Sequence, residues 1–382
     1  MPWNQTCPMD ERTRFIDTYL TRKYSMSEQC ARFNISRKTG YKWLDRFREG
    51  GKPALVDLSR APRSCPHKTP AEIEKLIVKT RKDHPKWGAP MIIDYLAPKH
   101  PHLSLPAYST AHDILKRNEL IVGNARRRKS APPEKIPLVT SAPNQIWGLD
   151  YKGQFRLGNT QYCYPLTLTD QHSRFVFTVR SHEAISGAET MRDLEAVFYE
   201  YGLPDAIRTD NGAPFATHGM LGLSKLGVWW IKLGIAHQRI QPGKPWQNGR
   251  HERMHKTLKA HTTRPPEFDH PAQQRRFDDF VEEFNHVRPH QATGRVPPGS
   301  VHHPSSRPMP TRLSQPEYPG HFEVRRVSSS GGFKFKSRKL TLSLALAHEY
   351  IALEEIDDSI WSIFFYETLL ARFDERTHTI TP

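Results

Sequence analysis

The sequence predicts a multidomain chain in three styles: an all-α N-terminal third, an α/β middle and a small all-β C-terminal part. Three observations carry this. The first third places apolar side chains at helical spacing behind capping residues. From Pro143 onward, strand-like runs alternate with helical ones. The last part turns to apolar residues at every second position. The expected boundaries are a three-helix domain at 1–60, a second at 61–125, a basic, proline-containing linker at 126–142, the α/β domain at 143–300, a linker at 301–320 and a small β-barrel at 321–382.

In the first domain Phe15/Ile16 and Tyr19/Leu20 lie four apart and share a helical face. Ser27–Phe33 reads as a short second helix and Asn34-Ile35 as a turn. Ser36 reads as the cap of a third helix, Arg37–Phe47, which Gly50-Gly51 ends. Helix, short helix, turn and basic helix form the layout of a helix-turn-helix. In the third helix Ile35, Trp43, Leu44 and Phe47 suit a core, leaving Arg37, Lys38, Tyr41, Lys42 and Arg46 for DNA. Thr69-Pro70-Ala71-Glu72 reads as an N-cap with a proline at the first helical position, opening a helix to Lys82. Met91–Leu96 and Ser109–Arg117 follow as helices. This second group is either another helix-turn-helix or a helical spacer.

In the middle, Gln145–Tyr151 is a strand, and Tyr162–Asp170 with Arg174–Arg180 a hairpin. A helix carries Met191, Leu194, Val197, Phe198 and Tyr201 on one stripe, and Ala206–Asp210 is a short strand ended by Asn211-Gly212. Two helices close the domain: Asn248–Ala260, and Arg275–Asn285 with Phe277, Phe280, Val281 and Phe284 on one face. In the C-terminal part Phe333–Lys336, Leu340–Leu344, Tyr350–Leu353 and Ser359–Phe365 read as short, evenly spaced strands, the pattern of a small barrel.

Charge narrows the partners. The 382 residues carry a formal net charge of +16. Residues 1–135 hold 27 basic and 14 acidic side chains, residues 136–300 hold 19 and 16, and residues 301–382 hold 10 of each. The excess therefore sits in the first third, where Arg126-Arg127-Arg128-Lys129 beside Pro132-Pro133 reads as a linker able to lie along phosphates, or as a solvated hinge. No apolar stretch approaches the roughly 20 residues of a membrane span. The N-terminus lacks the pattern of a secretory signal. Cys7, Cys30, Cys65 and Cys163 form no metal-binding or disulfide pattern, which suits a reducing cytoplasm.

Asp150 and Asp210 each end a strand, and Glu252 sits in a helix with Lys256 and Lys259 on its stripe and Met254 and Leu258 opposite. Brought together, three carboxylates can hold two divalent cations, which prefer oxygen ligands and serve phosphodiester chemistry in pairs. On spacing alone, Glu252 and Lys256 read equally well as a surface i,i+4 pair, and each aspartate as a turn residue.

The motifs Trp147–Gly153, Arg208–Phe215 and Pro242–Arg253 resemble those of the integrase-core transposases, bacterial insertion-sequence enzymes of the DDE type related to retroviral integrases. Phe284–Gln291 resembles the family's closing helix motif and Ile35–Trp43 its N-terminal helix-turn-helix. The resemblance implies an RNase H-like core with Asp150, Asp210 and Glu252 as the catalytic, metal-binding triad. It implies two Mg²⁺ ions, replaceable by Mn²⁺, and Lys259 on the transposon end with Lys256 beside it. The implied reaction is strand nicking by water, then attack of the freed 3′-hydroxyl on target DNA. Partners would be double-stranded DNA and further copies of the chain, in the nucleoid of a bacterial cytoplasm and without a membrane. Two features depart from the family: the 41 residues between Asp210 and Glu252 exceed its usual spacing, with the excess expected in Thr217–Trp230, and Trp246 stands where Gln is common. A zinc-binding His/Cys domain is absent, and His286 and His290 read as scaffold or DNA contacts. The alternative reading is a catalytically inactive, sequence-specific regulator derived from a transposase; the intact carboxylates argue against it. Two helix-turn-helix modules argue against a nuclease of RNA–DNA hybrids, and the lack of a sustained basic amphipathic helix against a membrane-surface protein.

Overall fold

The computed structural model describes residues 7–59, 68–121, 140–217, 219–241 and 249–381. The chain forms two compact units, residues 1–68 and 69–382. In the first, helix α1 (Pro8–Leu20), α2 (Met26–Arg32) and α3 (Arg37–Gly50) are each capped by the preceding side chain, Cys7, Ser25 and Ser36. The caps accept main-chain N–H groups that the first turn leaves without helical partners. Phe15, Ile16, Met26, Cys30, Trp43, Leu44 and Leu55 form the core. Gly40 lies where α3 crosses this core: a Cβ there would stand 2.6 Å from Cys30 Sγ. Gly51, at φ +66°, ends α3 in a conformation that favours glycine.

The second unit opens with α4 (Ala71–Asp83), α5 (Ala89–Lys99) and α6 (Tyr108–Arg117). Pro70 is the N-cap of α4 rather than its first helical residue, and no side chain caps it, so the expected Thr69 cap is not formed. The helix α5 starts two residues before the expected Met91, because Pro90 fits its first turn. Ile77, Trp87, Ile92, Ala111 and Ile114 fill the core of this bundle, and Val287 packs against it. His84 Nδ1 lies 3.1 Å from Glu283 Oε1, and Arg295 meets both Tyr108 and Asp94.

The middle of the unit is a mixed sheet of β1 (Ile146–Tyr151), β2 (Phe155–Arg156), β3 (Tyr162–Asp170), β4 (Val176–His182), β5 (Ala206–Thr209) and β6 (Ala236–Arg239). The main order is β4-β3-β1-β5-β6, with β2 on the first residues of β3. The first three strands of that order run antiparallel, and β5 and β6 run parallel to β1. Strand alternation sends Trp147 and Leu149 to one face, where Leu194 and Phe198 of α7 (Gly187–Tyr201) and Trp230 of α8 (Lys225–Lys232) cover them. On the opposite face Val176 and Val179 pack with Met254 and Leu258 of α9 (Gly249–Thr262) and Phe277 and Phe280 of α10 (His270–Glu282). The extra length expected in Thr217–Trp230, as a loop or an extra turn, includes most of α8.

The C-terminal part is all-β but not a closed barrel. Its five-stranded antiparallel sheet runs β13 (Thr379–Thr381), β12 (Thr368–Asp374), β11 (Ile360–Phe365), β10 (Tyr350–Asp357), β7 (Glu323–Arg326). The strands β8 (Gly332–Phe335) and β9 (Arg338–Thr341) pair only with each other among the described residues. Closure would need a ladder between the edges β7 and β13, and among the described residues none joins them. The sheet rests on α8 instead: Val228 belongs to its core cluster, and Lys232 Nζ pairs with Glu349 at 2.5 Å. The expected linker at 301–320 is irregular yet strapped to the α/β core. Arg307 donates to the carbonyls of Pro204, Leu233 and Gly234 at 2.7, 2.9 and 2.9 Å.

Candidate active site

The parallel register pairs Ile146 with Ala206 and Gly148 with Arg208, so continuing it by two residues sets Asp150 level with Asp210. Neighbouring strands lie about 4.8 Å apart. Asp150 is half-buried near the end of β1, and Asp210 is exposed just past β5, its Oδ1 accepting the Gly212 N–H at 3.0 Å. Glu252 is exposed in the first turn of α9. The helix crosses the same sheet face as Asp150: a Cβ on Gly148 would stand 2.9 Å from His251 Nδ1 and 2.2 Å from Gln171 Nε2. Only a residue without a side chain lets α9 come this close to β1.

A hydrogen-bonded brace holds α9 there. Thr167 lies opposite Asp150 in β3. Its Oγ1 donates to the Asp150 carbonyl at 3.0 Å and lies 2.7 Å from Nε2 of both His251 and His255. A hydroxyl has one proton, so both imidazoles must donate Nε2–H to it. Thr169 Oγ1 then donates to His251 Nδ1 at 2.9 Å. Burial holds both rings neutral, pushing His251 down to about 3 and His255 to about 2. Sequence reasoning missed this brace; its signal was two histidines four apart on the buried Met254/Leu258 stripe.

Two donor sets can be weighed for a metal. Asp150, His251 and His255 offer one atom each within 4.8 Å of one another. Hydroxyls already occupy both nitrogens of His251 and Nε2 of His255, so this group is a brace rather than an open ligand set. Asp150, Asp210 and Glu252 carry only oxygen donors, the kind that suits Mg²⁺ or Mn²⁺, but among the described residues they are not gathered within 4.8 Å as the first group is. Among the described residues neither Asp210 nor Glu252 has an ion-pair partner, so a cation would meet uncompensated charge. His286 pairs with Glu282 at 3.8 Å, and His290 accepts the Ala292 N–H at 3.2 Å.

Behind β1 and β4, His182 is buried between two carboxylates of α7, with Nδ1 2.9 Å from Glu189 and Nε2 2.7 Å from Asp193. Burial opposes its charge, but the bonds to Asp193 and Glu189 outweigh burial and raise its pKa.

The basic residues sort by element. Arg37, Lys38, Tyr41 and Lys42 stand exposed on α3, while Arg46 is half-buried with its guanidinium 5.0 Å from the Trp43 ring. Lys256 and Lys259 are exposed on α9, on the side away from Met254 and Leu258. Arg126, Arg127 and Arg128, and most of the Pro242–Arg253 motif, lie outside the described residues. Cys7, Cys30 and Cys163 are free thiols, and Cys65 also lies outside the described residues. No helix among the described residues is long and apolar enough to cross a membrane.

Comparison with known proteins agrees with the element order. The integrase core domain model matches residues 140–245 and a second integrase core domain model residues 233–298. A helix-turn-helix domain model matches 11–63 and a homeodomain-like domain model 39–115. An uncharacterized 39.2 kDa protein of insertion element IS476 from Xanthomonas euvesicatoria is 30% identical over 249 residues, covering 64% of this chain and 69% of that protein. An uncharacterized 31.7 kDa protein of insertion element IS407 from Burkholderia multivorans is 27% identical over 181 residues, covering 47% of this chain and 63% of that one. Among solved structures, the HTLV-2 integrase catalytic core domain in complex with magnesium is similar at 17% identity and a TM-score of 0.35, covering 43% of this chain and 99% of that one. By its integrase core, its helix-turn-helix region and its insertion-element relatives, the chain belongs to the family of bacterial insertion-sequence transposases.

Proposed function

We propose that the chain binds the terminal inverted repeats of its insertion sequence and catalyses metal-dependent cleavage and strand transfer at those ends. The observation that supports this is the parallel pairing of Gly148 with Arg208, two residues before Asp150 and Asp210 respectively, with the Glu252 helix braced over the same face as Asp150. Asp150, Asp210 and Glu252 would hold two Mg²⁺ or Mn²⁺ ions. When bound, such ions activate the attacking oxygen and stabilise the leaving one. The chain's own part is position: Thr167 fixes the Asp150 main chain, and His251 and His255 fix the helix carrying Glu252. Water attacks phosphorus at the element end, the P–O3′ bond breaks, and a 3′-hydroxyl leaves with its proton. That hydroxyl then attacks a target phosphodiester, whose own 3′-oxygen departs. Arg37, Lys38, Tyr41, Lys42 and Arg46 would read the repeat in the major groove, and Arg126, Arg127, Arg128, Lys256 and Lys259 would follow its phosphates. Joining two ends in one event calls for a multimer of this chain on the DNA.

The test is cleavage of labelled duplexes carrying the element's flanking ends, in Mg²⁺, in Mn²⁺ and in EDTA. Nicking at the end junction is expected with metal alone. Asp150→Asn, Asp210→Asn and Glu252→Gln should each lower it at least ~1000-fold, about 4 kcal/mol of transition-state stabilisation, while end binding persists. Retained cleavage in any one variant removes that residue from the triad. Tight end binding by the wild type with no nicking in either metal would favour the inactive regulator.

A further inference from the structure

The α9 face of the sheet holds a second group of charged side chains. Arg174 follows the β3–β4 turn, Arg208 lies level with Gly148 on β5, and Arg250 and Arg253 belong to the first turns of α9. Arg174 Nη1 donates to the Gln171 carbonyl at 2.6 Å, and Arg250 Nη1 donates to the same oxygen at 2.9 Å. Two guanidiniums therefore converge on one acceptor. Arg208 is held by Gln238 Oε1 at 2.7 Å, which leaves its positive charge unneutralised. Among the described residues no carboxylate lies within ion-pair distance of Arg174, Arg208 or Arg253. All but Arg253 are half-buried.

Such a group is costly. Burial pushes Arg174 down to about 10, and repulsion from Arg250 and Arg253 adds to this against a smaller pull from Asp170. Like charges partly out of water are stabilised by an anion between them, and the planar fork of arginine matches phosphate oxygens. We propose that Arg174, Arg208, Arg250 and Arg253 form a phosphate subsite that grips the backbone of the DNA beside the bond to be cut. This rests on the DNA-processing reading above. Arg208 precedes Asp210 by two residues, roughly 7 Å along the strand. The gripped phosphate would then lie close to the scissile one along the same backbone.

The experiment measures binding of a fluorescent duplex carrying the element end to the full chain, in EDTA, across a salt series. Wild type is compared with Arg253→Gln, Arg174→Gln, their double variant and Arg253→Lys. Arg192→Gln, an exposed charge on the opposite face of the sheet, controls for net charge. Every phosphate that is no longer neutralised should flatten the dependence of log affinity on log salt by about 0.9. The double variant should bind at least ~10-fold more weakly at low salt, with Arg253→Lys closer to wild type. A double variant indistinguishable from Arg192→Gln overturns the subsite. If Arg174→Gln fails to fold, the exposed Arg253→Gln alone decides, by the same slope. Because no cleavage occurs in EDTA, failure of the carboxylate assignment would show in the nicking assay and leave this result readable.

Discussion

At the scale of single residues, Thr167 does more than its size suggests. It accepts from two buried imidazoles and donates to the Asp150 carbonyl. Thr167→Val keeps the shape and removes the acceptor. Two buried N–H donors are then stranded, at about 1–3 kcal/mol each. Urea denaturation should show a loss of about 2–6 kcal/mol, and a change under ~0.5 kcal/mol would mean the brace carries no stability. His182 makes a different prediction. Its pKa is raised, so its contribution is complete below the unfolded value near 6.5 and disappears as pH rises through the higher folded value. Glu189 and Asp193 face the ring from α7, Tyr151 meets it edge-on from β1, and Arg180 pairs with Asp193 from β4. Unfolding measured at pH 6 and pH 9 should show a pH-dependent loss of stability in the wild type that His182→Gln removes. An equal loss in both proteins would assign it to other groups.

At the scale of elements, what could be read from the sequence depended on how much of each pattern was local. The third helix was legible because Ser36, the Trp43/Leu44 pair and Gly51 all act within a few residues. So was β3, whose Tyr162–Asp170 bounds match the expectation. Three elements were not. The two-residue β2 has no period to read. The strand β6 reads Ala-His-Gln-Arg with no buried residue, and exists because β5 offers it a parallel edge. Helix α8 combines two roles in eight residues, sending Trp230 into the sheet core and Val228 into the C-terminal sheet, so its apolar residues form no single stripe. That double role is testable. Val228 is 5% exposed, and Val228→Asp would bury an unpaired carboxylate at this junction. Stability should fall by several kcal/mol, and limited proteolysis should cut near 301–320 and release the C-terminal sheet. A digestion pattern identical to wild type would show that the strap alone holds the two together.

At the scale of the whole molecule, the fold class was legible because it depends on the order of local patterns, whereas closure of the C-terminal sheet depends on a pairing between strands some fifty residues apart. The candidate site was half legible. The candidate carboxylates were named from motifs; the brace between β3, the Asp150 main chain and α9 was not foreseen, because threonine and histidine in a strand and a helix look ordinary until they meet. Gly148 belongs to this second kind. It takes part in no chemistry, yet any side chain at that position would collide with Gln171 and His251. A single base change in its codon would thus drive α9 away from β1 while leaving Asp150, Asp210 and Glu252 in the reading frame. On the proposed function, such a copy of the element would keep all three carboxylates and still lie silent in the genome, and a count of copies by their carboxylates would exceed the count of working ones.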